Sequence, residues 1–166
     1  MIFLRTAVWL VVPVTVIALI PHWLFHQVER GAVSAWGVWQ WSGAWLIANG
    51  LSLMAWCVYL FNVEGRGTPA PWDPPVRFVL RGPYRAVRNP MMLGAFLVVG
   101  GEALLLQSRV LALYLPALMA VAHLAVTRWE EPHLARRFGP LYAQYRCEVP
   151  RWLPRLPIIR RCQPKG

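Results

Sequence analysis

"PMMLGAFLVVGGEALLLQSRVLALYLPALMAVAHLAVT", residues 90–127, carries only two charged side chains, Glu102 and Arg109. Crossing ~30 Å of hydrocarbon takes about 20 apolar residues in a helix. Lipid offers the backbone no hydrogen-bond partners, which leaves helices as the economical assignment. The stretch therefore reads as two spanning helices, about 90–107 and 109–127, parted only by Gln107–Arg109 and folded into a tight antiparallel hairpin. Two further apolar runs, about 6–25 and 42–62, complete four spans. The expected architecture is all-α: a polytopic membrane protein, one domain over 1–166, with a cap of short helices and loops.

The composition agrees. Of 166 residues, 57% are hydrophobic and 14% charged, against about a quarter charged in soluble domains. The net charge of +10 is almost wholly arginine, Lys165 being the only lysine. Alternating with long apolar runs, that surplus marks membrane faces and not nucleic acid. Cys57, Cys147 and Cys162 are far apart and show no metal spacing, so neither a disulfide framework nor a zinc site is expected. The run Thr6–Phe25 is too long for a usual signal-peptide core and has no small-residue cleavage site, so it reads as a retained helix. "GAVSAWGVWQW", residues 31–41, is rich in tryptophan and suits the outer interface.

Charge sets the expected orientation. Five arginines lie in 62–90 and nine basic residues from 128 onward, fourteen of the 17 in the chain. Only Arg30 and Arg109 fall on the opposite side of a four-span arrangement, and Arg5 joins the rich side. The positive-inside rule then places both termini and the 62–90 loop in the cytoplasm. "GTPAPWDPP", residues 67–75, cannot be regular helix. In the tail, Pro132 and Pro140 suit the first turns of two short helices.

Three features exceed what anchoring requires. "RGPYRAVRNP", residues 81–90, packs three arginines, two prolines and a tyrosine into the mouth of the third span, and Gly82 to Gly94 continues it. Such a segment can seat a carboxylate, or it is an arginine-rich loop on anionic lipid. Glu130 and Glu131 end the fourth span. Adjacent carboxylates at a membrane boundary need a cationic partner, either the arginines of 82–94 or a bound cationic ligand. Glu102 lies about 20 Å into the bilayer from Asn89. It is either functional or a structural group near the outer interface, facing His22 or His26. The histidines show no further pairing, and a metal needs more ligands.

The ordered motifs resemble the isoprenylcysteine carboxyl methyltransferase family and its bacterial relatives, which include phospholipid methyltransferases. The family pattern, roughly G-x-Y-x-x-x-R-H-P-x-Y-x-G, a hairpin, E-E-x-x-L, F-G-x-x-Y-x-x-Y and V-P, is matched across about 66–155. It appears as Gly82–Pro83–Tyr84, Arg88–Asn89–Pro90–Met91–Met92–Leu93–Gly94, Glu130–Glu131–Pro132–His133–Leu134, Phe138 to Tyr145, and Val149–Pro150. The resemblance implies methyl transfer from S-adenosyl-L-methionine at the cytoplasmic face of a bacterial inner (plasma) membrane. It implies cofactor-binding segments at about 81–94 and 128–155. Glu130 and Glu131 would meet the cofactor's ammonium or hydroxyls. Backbone around Pro90, Met91, Met92 and Leu93, with Arg88 or Arg146, would hold its carboxylate. Tyr84, Met92, Leu93, Tyr142 and Tyr145 would wall the adenine, with Gly82, Asn89 and Gly94 completing the site and Arg88 and Glu131 as the catalytic pair. Glu131→Ala is expected to abolish cofactor binding in a folded protein.

Two positions depart from the pattern: Asn89 replaces the histidine before proline, and Met92 the tyrosine two residues after it. Asparagine donates a hydrogen bond but does not titrate near neutral pH. The expected acceptor is therefore a lipid or small apolar molecule entering from the inner leaflet, not a prenylcysteine. The rival reading is a non-enzymatic basic scaffold or a small four-helix transporter. A transporter of that kind wants a carboxylate in its first span, and Thr6–Phe25 has none.

Overall fold

The computed structural model describes residues 11–29, 36–65 and 80–154. Every regular element among them is helical. Helix α1 is Val11–Glu29, α2 is Val38–Leu60, α3 is Pro90–Leu105, α4 is Arg109–Ala125 and α5 is Glu131–Glu148. A 3₁₀ turn, Gly82–Arg85, precedes α3. Three stretches are long and apolar enough to cross a membrane: Val11–Glu29, Val38–Val63 and the continuous run Arg109–Glu148. In that run the crossing portion is α4, and charge resumes only at Arg128. Helix α3 is apolar but has 16 residues, about 24 Å of helix.

These elements match the four expected spans with shifted ends. The first reaches Glu29, and its expected start at residue 6 lies outside the described residues. The second begins at Val38, so Trp39 and Trp41 belong to its first turn, while 31–35 of the tryptophan-rich segment lie outside the described residues. Trp39 and Trp41 are exposed, as are Trp45, Trp56 and Tyr59 along the same helix. The proline-rich 67–75 loop also falls outside the described residues. The tail differs in one respect: its first helix is no separate element but continues α4 through a wide helical turn, Val126–Glu130. Pro132 follows directly on that wide turn, at the second position of α5, and the helix runs on through it. The second expected helix does start at Pro140, after Gly139 leaves helical geometry (φ 50, ψ −125). That conformation suits a residue without a Cβ.

Glycines set the closest packing. Gly43 and Gly50 of α2 face Gly101 and Gly94 of the antiparallel α3. A Cβ on Gly43 would lie 2.5 Å from the Gly101 carbonyl oxygen, and one on Gly50 2.6 Å from that of Gly94. Both pairs are two turns apart, so the two backbones touch along a seam, as small residues allow between apolar helices. Ile17, Met54, Val98 and Val99 form the core beside it.

The α3–α4 hairpin is fixed by polar groups. Gln107 takes a left-handed conformation (φ 49). Ser108 caps α4, its Oγ accepting from the Leu111 amide at 3.1 Å. Glu29 at the end of α1 accepts from the Ser108 hydroxyl and from the Arg109 amide at 2.9 Å. A carboxylate at free helix-start amides is favourable, and here it pins α1 to α4.

Candidate functional site

The site is built at the other end of the hairpin, where the chain enters α3. Gly82 has φ +55, and a Cβ there would meet Leu60 at 3.0 Å and Trp56 at 3.2 Å. The segment can press against α2 only because that residue is glycine. The following turn buries Tyr84 against Cys57 and Leu60, with its ring edge-on to Phe61 at 5.5 Å. Val87, Asn89 and Pro90 are buried, while Arg81 and Arg85 are exposed. Pro90 opens α3 at its first position, where no amide is needed.

Helix α5 supplies the facing wall. Beyond Gly139, Tyr142, Tyr145 and Val149 share one face and bury together against Leu134, Ala135 and Phe138. The Tyr145 hydroxyl donates to the Tyr84 carbonyl at 2.8 Å, tying the two walls.

Between the walls lies an ion cluster. Arg88 Nη1 donates to Glu131 Oε1 at 2.8 Å. Arg151, beyond α5, donates through Nε to Oε1 at 2.7 Å and through Nη2 to Oε2 at 3.0 Å. Two-pronged arginine–carboxylate pairing of this kind is strong and geometrically specific. Burial works against the Glu131 charge, but the Arg151 hydrogen bonds and the charges of Arg88, Arg151 and Arg146 outweigh it. Its carboxyl is held below the ordinary value. The pairing raises Arg151 in turn.

The backbone after α5 straps the cluster down. The Pro150 carbonyl accepts from the Arg88 amide at 2.9 Å, and the Arg151 carbonyl accepts from Asn89 Nδ2 at 3.3 Å. Trp152 lies beside Phe96 and donates through Nε1 to His123 Nδ1 at 3.1 Å. One side chain from α3 and one from α4 thus receive the same indole.

The structure brings Tyr84, Arg88, Asn89, Glu131, Tyr142 and Tyr145 together. Arg146 is exposed but contributes its charge to Glu131. Met91 packs inward between the two clusters of core residues, Met92 and Leu93 are half-buried, and Gly94 faces Gly50 and Met54 of α2. Gly82 shapes the turn against α2. Arg151 is absent from the residues expected at the site. Its one sequence signal was its place between Pro150 and Pro154, whose fixed backbone angles favour an extended strap.

Glu130 and Glu131 behave oppositely. Glu130 is exposed, and among the described residues no cation pairs with it. Surrounding protein and then the Glu131 charge raise its carboxyl above the ordinary value. Its charge is felt at Tyr84, whose hydroxyl is raised chiefly by burial. The cluster therefore has two guanidiniums for one paired carboxylate, with an accessible carboxylate next to it. Arg88 Nε is buried with no hydrogen-bond partner. A ligand carrying a carboxylate and an ammonium, as an α-amino acid does, fits this donor set: anion towards Arg88, cation towards Glu130.

Comparison with curated proteins and with solved structures returned no match. The family model described as phospholipid methyltransferase matches residues 38–140, from the first turn of α2 to Pro140 and including Arg88, Glu130 and Glu131. With more than half its length matched, the chain belongs to the phospholipid methyltransferase family.

Proposed function

We propose that the chain transfers a methyl group from S-adenosylmethionine to a lipid or small apolar acceptor at the membrane face bearing the Arg88–Glu131–Arg151 cluster. The observation that carries this reading is the surplus guanidinium charge of Arg88 and Arg151, with Arg88 Nε unpartnered, beside the exposed Glu130; Arg88 and both glutamates lie inside the family match.

Arg88 would hold the cofactor's carboxylate and Glu130 its ammonium. Tyr84, Met92, Leu93, Tyr142 and Tyr145 are the apolar and aromatic surface available to the adenine. When bound, S-adenosylmethionine supplies an electrophilic methyl on a sulfonium. Both oxygens of Glu131 are occupied by arginine, so Glu131 acts by positioning Arg88. Asn89 is tied to the Arg151 carbonyl and has no proton to take or give near neutral pH. Methyl transfer is an in-line displacement, so the chain's work is alignment and exclusion of water. Trp152 on Phe96 and His123 would shield the site towards the membrane. Fifteen of the 17 basic residues fall on this side of the expected spans, which supports a cytoplasmic face with the acceptor arriving from the inner leaflet.

Calorimetric titration of the detergent-purified chain with S-adenosylmethionine and S-adenosylhomocysteine tests the reading. Saturable binding is expected, weakened on the order of tenfold or more in Glu130→Gln by loss of a charge pair. Absence of binding by folded wild-type protein would overturn it and return the arginines to lipid headgroups. Transfer of labelled methyl into vesicles of phosphatidylethanolamine then tests the acceptor class.

A further inference from the structure

Glu102 stands apart from this site. It lies twelve residues along α3 from Pro90, about 18 Å away, at the opposite end of the bundle. There it lines a recess of about 320 Å³ with Ala18, Leu19, Pro21, His22 and Leu106. Its Oε2 is buried and has no hydrogen-bond partner. The nearby Tyr114 does not supply one, because its hydroxyl donates to the Val16 carbonyl at 3.0 Å. Among the described residues the arginine at this end, Arg109, lies beside Glu29 instead.

We propose that this recess binds the primary ammonium headgroup of an amphiphile, with Glu102 as counter-charge and His22 as a second acceptor. A carboxylate in an apolar setting needs a cation or a donor, and among the described residues none is offered to Oε2. The remaining walls are aliphatic, which suits methylenes next to a headgroup and not a hydrated metal ion. Among the described residues no group of three metal-ligating side chains occurs. An ammonium with three N–H donors is matched by a carboxylate and an imidazole nitrogen. A quaternary ammonium has no N–H to donate and is usually held by a cage of aromatic faces, and among the described residues no phenylalanine, tyrosine or tryptophan lines the recess. The His26 ring, 4.4 Å from that of His22, steadies His22 on its wall. The volume admits a headgroup and the first part of a chain, at the small end of ligand pockets. Glu102 is only three residues from the end of α3 at Leu105, so the tail of the amphiphile can remain outside the bundle.

This inference does not rest on methyl transfer, and its test is separate. Dodecylamine and dodecyltrimethylammonium are titrated calorimetrically into the full chain in neutral detergent at pH 7.5, with protein-free micelles as blank. Saturable binding of one dodecylamine per chain is expected, weakened on the order of tenfold in Glu102→Gln and for the trimethylated probe. Cofactor binding in Glu102→Gln should be unchanged. Equal affinity of the two probes, equal affinity in Glu102→Gln, or no saturable binding overturns the proposal. Should Glu102→Gln not fold, Ala18→Phe, which fills the recess and leaves the carboxyl intact, decides it: retained affinity overturns the site, and loss supports it.

Discussion

Arg151 grips both oxygens of Glu131, at 2.7 and 3.0 Å, from the segment that follows α5. The contact joins the start of α5 to the chain beyond its end, and Arg88 joins the same carboxylate to the start of α3. The family's paired glutamates thus divide into one consumed by structure and one left facing outward.

Glu131→Gln leaves two guanidiniums without their charge partner. With the Glu131 side chain 8% exposed and that of Arg88 12%, a loss of about 3 kcal/mol in stability is expected. Arg151→Lys keeps the charge but not the fork and should cost less, about 1–2 kcal/mol. Thermal unfolding in detergent measures both. An unshifted midpoint for Glu131→Gln would mean that the cluster is decorative. For the same reason Glu131→Ala would report on folding and cofactor binding together, and Glu130→Gln is the variant that reads the ligand alone.

The two glutamates should give opposite responses to acid. Glu131 has its carboxyl lowered on folding, so its contribution is fully present above the ordinary carboxylate value and is lost as pH falls through the lowered one. Glu130 is raised, so it costs stability near neutrality, and that cost is relieved as pH falls through its raised value. In unfolding scans from pH 7 to pH 3, Glu130→Gln should be stabilised relative to wild type at pH 7 and converge with it on acidification. Glu131→Gln should be destabilised at pH 7 and approach wild type at the acid end. Parallel profiles for the two variants would contradict the assignment.

Neighbouring glycines of α3 should differ sharply. An added Cβ at Gly101 would meet the Gly43 carbonyl oxygen at 2.6 Å, whereas at Gly100 it would meet only a Leu115 methyl, at 3.5 Å. Gly101→Ala must separate two backbones and should cost about 2 kcal/mol or more, while Gly100→Ala should be neutral or slightly stabilising. Similar midpoints for the two would refute the seam.

Asn89→Ala removes the bond to the Arg151 carbonyl and should cost about 1 kcal/mol. Asn89→Asp sets an anion against that carbonyl and should cost more. Asn89→Ala should also loosen the strap, seen as faster proteolysis after Glu148. Unchanged proteolysis in both variants would show that the strap is held elsewhere.

How much of this was legible depends on which interactions are local. The hairpin could be read because an apolar run is punctuated once, by Gln107–Arg109, and chain direction does the rest. Charge at one end of the bundle put arginines and glutamates within reach of each other, so the Arg88–Glu131 contact follows from topology. Arg151 did not follow, since its return to Glu131 depends on the backbone path after Val149, which no periodicity records. Nor could the sequence say which of Glu130 and Glu131 points inward. Successive residues on a helix face about 100° apart, and only packing selects one. The glycine seam was equally hidden, because a glycine within a span looks like any small residue until its partner's register is known.

Helix α3 is shorter than its neighbours, at 16 residues. A bilayer meets a short helix by thinning around it or by drawing polar flanks inward, at a cost of fractions of a kcal/mol per Å. About 6 Å separates this helix from a typical hydrocarbon thickness. The two ends of α3 carry the two proposed sites, so a dimple around this helix would bring headgroups to both. Local bilayer thickness would then set activity: vesicles of longer-tailed lipids should slow methyl transfer without touching a single residue of the site.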